Sequence, residues 1–209
     1  MTALWTIPAA YLIGTIPTGY MLVKLFRGSD IREFGSGNIG ATNVSRLAGL
    51  PLGVVVLAID AAKGFLAVWL AAHAAGGGGP WPGLAALAVV LGNTWNAFLG
   101  FRGGKGFATA AGALLCLAPL PTLALAPVFF VTAAVSRHVS AGSIVTAAAA
   151  PVAVWLIDHP GAGEVLTVCL ASGLILWRHR ENMERIRQGT EGEFTWRRRP
   201  RRTPPGGRR

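Results

Sequence analysis

The sequence predicts an all-α fold, a polytopic helical bundle integral to a membrane, and three observations predict it. Of 209 residues, 52% are hydrophobic and only 13% charged, with a mean hydropathy of +0.49. Soluble domains carry about 25% charged residues, so this chain has too few to cover a water-facing surface. It contains several apolar runs approaching or exceeding the roughly 18 residues that read as a bilayer span. Finally, its net charge of +10 is localised: eleven of the nineteen basic residues lie between Arg178 and Arg209, after the last apolar run.

The first run, Leu4 to Phe26, lacks the basic leader and small-residue cleavage site of a secretory signal and reads as a retained helix. The second, Leu50 to Ala75, ends at the glycines before Pro80, and the third, Pro82 to Phe101, ends at Arg102-Gly103-Gly104-Lys105. Phe107 to Val135 follows, interrupted by Pro119, Pro121 and Pro127; then come Ser143 to Ile157 and Val165 to Trp177. As one helix, Phe107 to Val135 would be about 43 Å long, well beyond the ~30 Å hydrocarbon core. Charge favours a hairpin turning at Pro119-Leu120-Pro121. With the N-terminus outside, Lys24 to Arg46, Arg102 to Lys105, Arg137-His138 and the tail then share the cytoplasmic side. The opposite loops contain no Lys or Arg. The positive-inside rule thus predicts seven transmembrane helices, N-terminus outside and C-terminus cytoplasmic. Residues 1–191 form the transmembrane domain, and 192–209 a basic, disordered tail rich in Arg, Pro and Gly.

The tail's charge fits a positive-inside anchor with a weak attraction to anionic headgroups. No aromatic platform or recognition helix accompanies it, so nucleic acid is not an expected partner. Cys116 and Cys169 lie inside apolar runs without ligand-like spacing, which supports neither a disulfide framework nor a metal site, and no cofactor is expected.

Four polar segments fall on the cytoplasmic face. In Ser36 to Arg46, Gly37 and Gly40 let the backbone turn its amides into a concave nest suited to an anion. Ser36, Asn38, Thr42 and Asn43 add neutral donors, and Arg46 a planar fork matched to phosphate or carboxylate. The plainer reading is a capped helix start with Arg46 as an interface anchor. The second segment, Arg102 to Thr109, lacks the spacing and the preceding strand of a nucleotide-binding P-loop. A glycine turn with Lys105 at a helix start still suits a phosphate, or else is a turn with snorkelling basic residues. In the third, Ser136 to Ser143, small hydroxyl residues leave room near the backbone and Ser143 offers a donor, though Ser and Gly also pack membrane helices. In the fourth, Trp177 to Glu191, His179, Asn182 and Arg185/Ile186 recur at helical spacing, so His179 and Asn182 share a face; the alternative is a solvated amphipathic end with Glu/Arg pairs. Within the bilayer, Asp60 and Lys63 are either a mutual ion pair or, for Lys63, a reach toward the pocket of Arg46 and Lys105.

The order and wording of these segments resemble the bacterial acyl-phosphate:glycerol-3-phosphate acyltransferase family, the PlsY type, over nearly the whole chain up to Glu191. The matching stretches are Tyr11-Leu12-Ile13-Gly14-Thr15-Ile16-Pro17-Thr18-Gly19-Tyr20, the long Asp30 to Asn43 run, Asp60-Ala61-Ala62-Lys63-Gly64, Gly103-Gly104-Lys105-Gly106 with Ala108-Thr109, Val139-Ser140 with Ser143-Ile144, and His179-Arg180 with Asn182 and Gly189-Thr190-Glu191. The resemblance implies a multi-pass enzyme of the bacterial inner membrane with its active site facing the cytoplasm. It would move a fatty acyl group from acyl phosphate to the 1-hydroxyl of glycerol 3-phosphate, giving lysophosphatidic acid. Carried over by position, Ser36, Arg46, Lys105, His179 and Asn182 look like the catalytic ligands of glycerol 3-phosphate. Asn38, Thr42, Asn43, Lys63, Gly103, Gly104 and Ser143 are similar to the substrate-binding pocket around the acyl phosphate, with Glu191 a structural helper. The chain departs from the family pattern once: Gly92-Asn93-Thr94-Trp95-Asn96 stands where Gly-His-x-x-Pro is usual.

The implied chemistry agrees with the residue types. An acyl phosphate is already activated, so positioning two phosphates and stabilising developing charge suffices. No Ser-His-Asp relay is legible. The His-x4-Asp motif of coenzyme-A-dependent glycerolipid acyltransferases is absent, since His159/Glu164 and His179/Glu184 have the spacing with the other acid. The rival class is a small-anion or organophosphate transporter, which would need basic residues at several depths in the bilayer; only Asp60 and Lys63 lie deep.

Overall fold

In the computed structural model, which describes residues 3–76 and 78–194, the regular elements are helices, and among the described residues there is no strand. The first apolar run is two helices, α1 (Thr6–Gly14) and α2 (Thr18–Arg27), broken at residues 15–17. Pro17 has no N–H and disfavours helical geometry in the residue before it, which opens the carbonyls of Thr15 and Ile16 to side chains. Asn96 Nδ2 donates to Thr15 O at 2.7 Å, and Lys63 Nζ to Ile16 O at 3.1 Å. Polar backbone in a membrane bundle needs such internal partners.

A short 3-10 turn at Ile31–Glu33 leads to α3 (Ala41–Ala48), a brief surface helix, and Gly49 links it to α4 (Leu50–Ala74). Then come α5 (Trp81–Thr94), α6 (Phe107–Leu117), α7 (Pro119–Ser136), α8 (Val139–Asp158), α9 (Ala162–Arg178) and the short α10 (Arg180–Arg187). The third apolar run therefore stops being α-helical at Thr94, short of Phe101, because Asn96 turns to cap a 3-10 turn at Ala97–Leu99 by accepting from Phe98 N at 3.1 Å. The long proline-interrupted run is two helices rather than one. Its break sits at Ala118, one residue ahead of the expected Pro119–Pro121 turn, since proline without its N–H suits the first position of a new helix.

Five stretches are long and apolar enough to cross a membrane: Thr6–Arg27, Leu50–Ala74, Trp81–Leu99, Pro119–Ser136 and Val139–Asp158. Phe107–Leu117 is apolar but shorter, and Ala162–Arg178 has 17 residues. α1 packs on α5, α4 on α6, and α7 on α8. The interior is built from small side chains, among them Ala67, Ala71, Ala85 and Val89, while Leu12, Phe65, Leu123, Phe130 and Trp155 point outward. That arrangement suits lipid, where close backbone approach rather than expulsion of water holds helices together. At the α4–α6 crossing, a Cβ on Gly112 would collide with the carbonyl of Ala61, and one on Gly64 with that of Thr109. The basic tail expected over 192–209 falls outside the described residues after Phe194.

Candidate active site

The segment before α3 is organised by one side chain. Asn43 Nδ2 donates to the carbonyls of Phe34 and Asn38, both at 2.9 Å, and to Ile31 O at 3.4 Å, while its Oδ1 accepts from Ser36 N at 3.2 Å. Asn38 Oδ1 in turn accepts from Gly40 N at 2.8 Å. Asn43, expected among the substrate-binding residues, thus spends both ends of its amide on the loop. This leaves the hydroxyls of Ser36 and Thr42 at the loop's open side. Arg46, one turn further along α3, donates from Nη2 to Gly192 O at 3.0 Å.

The glycine turn before α6 is pinned from beneath by the end of α5. Gly103 N donates to Thr94 O at 3.1 Å and Gly104 N to Asn93 O at 2.9 Å. A Cβ on Gly103 would run into the Asn93 carbonyl. Gly106 starts α6 at a φ of 81°, a left-handed value that favours glycine. Lys105 is thereby held over the interior, where its Nζ donates to Asn182 Oδ1.

The third wall is the junction of α9 and α10. His179 is 3% exposed, and its Nδ1 lies 2.8 Å from Ile175 O. A carbonyl only accepts, so Nδ1 carries the proton and Nε2 is left as an acceptor. Glu191 closes this wall: Oε1 accepts from Asn182 Nδ2 at 2.7 Å and Ser140 Oγ at 2.8 Å, and Oε2 pairs with Arg185 Nε at 2.7 Å. The chain after α10 is a strap joining α10, the start of α8 and, through Gly192, α3.

Burial sets the charge states here. It pushes the Lys105 ammonium down to about 8, with Glu191 pulling the other way and Arg185 adding to the push. Burial likewise lowers His179 to about 4, against its Ile175 hydrogen bond and with help from Lys105, so the imidazole is neutral at physiological pH. For Glu191, burial acts to raise the carboxyl, but the hydrogen bonds from Arg185, Asn182 and Ser140 outweigh it and keep it below the usual range.

These walls enclose a cavity of about 360 Å³. Of the expected site residues, Ser36, Asn38, Thr42, Asn43, Arg46, Gly104, Lys105, Ser143, His179, Asn182 and Glu191 line it. Lys63 and Gly103 do not. Lys63 sits behind the wall, 2.8 Å from both Asp60 Oδ1 and Asn93 Oδ1 as well as on Ile16 O, so its charge is spent inside the bundle. The mutual ion pair is the arrangement found, with Asn93 as a third member. Ser143 Oγ donates back to Val139 O at 3.1 Å.

Wall residues outside the expected site set include Asn93, Thr109, Ser140 and Arg185. Arg185 has a legible signal, being three residues beyond Asn182 as Asn182 is beyond His179. Thr109 Oγ1 is buried without a hydrogen-bond partner among the described residues. Ser140 and Asn93 lie in stretches the sequence singles out, but their place in the wall comes from distant partners, Glu191 and Lys63.

A second cavity of about 300 Å³ opens from the first, sharing Leu57, Phe107, Ala108 and Phe129. It continues between α6, α7, α8 and α9 past Leu114, Leu125, Ala150 and Val168, with almost wholly apolar walls. The combined site suits an anionic head held by Arg46, Lys105 and Arg185 beside an alkyl chain.

Comparison with known proteins agrees. The sequence model of the family described as Glycerol-3-phosphate acyltransferase matches residues 4–189. Curated relatives named glycerol-3-phosphate acyltransferase include one from Geobacter sulfurreducens, 43% identical over 88% of this chain and 94% of its own. One from Thermus thermophilus is 46% identical over 90% of this chain and 94% of its own. Two crystal structures of PlsY, an integral membrane glycerol 3-phosphate acyltransferase, superpose with it. The glycerol 3-phosphate form has a TM-score of 0.88 at 36% identity, and the lysophosphatidic acid form 0.86 at 34%; each covers 93% of this chain and 96% of that one. With a cavity of the right chemistry and a match along almost its whole length, this chain belongs to the glycerol-3-phosphate acyltransferase family.

Proposed function

We propose that the protein transfers a fatty acyl group from acyl phosphate to the 1-hydroxyl of glycerol 3-phosphate, releasing lysophosphatidic acid and phosphate. The observation that carries this reading is the junction at Phe107 and Phe129, where a cavity lined by Arg46, Lys105 and Arg185 meets an apolar groove. An acyl donor laid in the groove puts its carbonyl at the mouth of the polar cavity, beside the acceptor. Arg46, Lys105, Ser36, His179 and Asn182 hold the acceptor. Asn38, Thr42, Gly104 and Ser143 take the donor phosphate, while Asn43, Lys63 and Gly103 support those loops from behind.

In the transfer, the acceptor oxygen bonds to the acyl carbon and the bond from that carbon to the phosphate oxygen breaks. His179, with Nε2 free, accepts a hydrogen bond from the attacking hydroxyl and orients it. An imidazole lowered to about 4 is a weak base, whereas a phosphate monoanion has a pKa of about 6. The proton therefore goes to the departing phosphate, and Lys105 and Arg46 balance the charge that develops on the oxygens.

In the membrane, the chain is read as seven spans, adding Phe107–Leu117 and Ala162–Arg178 to the five long ones. Its N-terminus is outside, and residues 1–191 form the catalytic body with the site facing the cytoplasm of a bacterial inner membrane. Residues 192–209 are a basic tail. The clustering of Lys and Arg on one side supports this. A transporter finds little support, because the deep Asp60–Lys63 pair is engaged with Asn93 and Ile16.

The test gives detergent-purified protein palmitoyl phosphate and glycerol 3-phosphate, beside Arg46→Ala and Lys105→Ala. The expected result is lysophosphatidic acid and phosphate in equal amounts from wild type, lost in both variants. Folded wild-type protein that makes neither product would overturn the assignment. For the proton route, His179→Gln is expected to keep measurable acylation; its complete loss with phosphate binding intact would make His179 the base.

A further inference from the structure

The polar cavity must exchange two water-soluble anions, and the apolar groove cannot pass them. An unpaired charge is strongly disfavoured in an apolar medium. A third cavity, of about 530 Å³, lies against the first and shares Ser36, Asn38, Lys105 and Arg185 with it. Its walls carry six basic side chains against three carboxylates, so its field is positive.

The carboxylates are partly used up. Asp30 is spent on Arg32, its Oδ2 lying 2.6 Å from Nη2, and Glu181 faces Arg185 at 3.9 Å. Arg178 donates to the carbonyls of Gly103 and Gly104 at 3.4 and 3.2 Å, and its Nε is buried without a partner among the described residues. Arg180 lies over the Trp177 ring, 4.5 Å from its centroid, and donates from Nη1 to Trp177 O. These contacts anchor the two arginines without cancelling their charge. The Arg102 guanidinium has no hydrogen-bond or ion-pair partner among the described residues and stands on the exposed rim.

We propose that this third cavity is a binding site for a phosphate dianion, an antechamber in which Arg102, Arg178 and Arg180 hold a phosphomonoester or orthophosphate before it passes to, or after it leaves, Lys105 and Arg185. A cleft lined by one sign of charge concentrates oppositely charged ligands and speeds their capture, an effect that salt removes. Only the identity of the passing anion rests on the acyltransferase reading; the site itself rests on the charges.

The experiment measures equilibrium binding of radiolabelled orthophosphate and, separately, glycerol 3-phosphate to the full-length protein in detergent, at low and high ionic strength. Wild type is compared with the Arg102→Ala/Arg180→Ala double variant and with Arg102→Lys/Arg180→Lys. The expected result is the loss of one weak equivalent of phosphate in the alanine variant at low salt, with the lysine variant retaining it. Steady-state rates give a second readout: kcat unchanged, and kcat/KM for glycerol 3-phosphate about tenfold lower at low salt, the difference closing at high salt. A change confined to glycerol 3-phosphate marks the incoming acceptor; one confined to inhibition by orthophosphate marks the outgoing product. Unchanged stoichiometry and unchanged salt dependence in the alanine variant would overturn the antechamber. Wild type that loses the weak equivalent on substitution yet forms no lysophosphatidic acid would leave the antechamber standing and remove the acyltransferase assignment.

Discussion

Lys63 Nζ donates to Asn93 Oδ1 at 2.8 Å across a separation of thirty positions, tying the middle of α4 to the end of α5. The same asparagine accepts Gly104 N on its backbone carbonyl at 2.9 Å. One residue thus couples the buried Asp60–Lys63 pair to the glycine turn that presents Lys105. The link is made by a neutral amide, and three residues on Asn96 bonds Thr15 O and caps the next turn.

Replacing Asn93 with Leu leaves Lys63 short of an acceptor inside the bundle. An unsatisfied buried donor costs about 1–3 kcal/mol, more for a charged one. The expected outcome is a lower melting temperature in detergent together with a kcat reduced about tenfold or more, because the glycine turn loosens with it. Asn93→His, which keeps an acceptor, should recover most of both. A variant that melts and turns over like wild type would show that the link positions nothing.

The Lys105 ammonium, lowered to about 8 by burial, gives the reaction an alkaline limit. The protonated form binds dianionic acceptor, so kcat/KM for glycerol 3-phosphate should hold below pH 8 and fall as pH rises through that value. Lys105→Arg, whose guanidinium keeps its proton, should extend the plateau past pH 9 even at a reduced rate. A profile measured with saturating acyl donor checks this, and an identical alkaline limb in the arginine variant would assign the limb to another group.

Glu191 is the hub of the strap, and its carboxyl is held below the usual range by Arg185, Asn182 and Ser140. Its stabilising contribution is present above the unfolded carboxylate pKa and is lost as pH falls through the lower folded value. Glu191→Gln should therefore melt earlier than wild type at pH 7, with the gap narrowing below about pH 4 as both carry a neutral side chain. It should also raise KM for glycerol 3-phosphate more than it lowers kcat, since Asn182 and Arg185 lose their positioning. Thermal melts across pH and initial rates read both effects.

The apolar groove should sort donors by length. Ala150 is a small residue in its wall, 7% exposed, at a distance from the Phe107–Phe129 mouth. Ala150→Phe fills the far part of the groove. Palmitoyl phosphate is expected to react about tenfold more slowly with this variant, while an eight-carbon donor keeps its wild-type rate. Equal slowing of both would mean that the groove does not hold the chain.

Much of this molecule is written in local pattern. Apolar runs punctuated by glycine and proline mark the helices because lipid solvates only apolar side chains and helical backbone. The bias of Lys and Arg to one set of loops marks the polar face, and the repeat of His179 and Asn182 continues to Arg185 because helical spacing is itself local. Other features depend on residues far apart in the chain. Asn43 spends its amide on Ile31, Phe34 and Asn38; Lys63 turns to Asn93 and Asp60 rather than into the cavity; Arg46 meets Gly192 across 146 positions. The sequence by itself determined which segments are apolar enough to enter lipid and which residues offer anion-binding groups. Only the tertiary structure decided which of those groups face the cavity and which are spent holding it open, because a polar side chain takes whichever partner packing brings within about 3 Å.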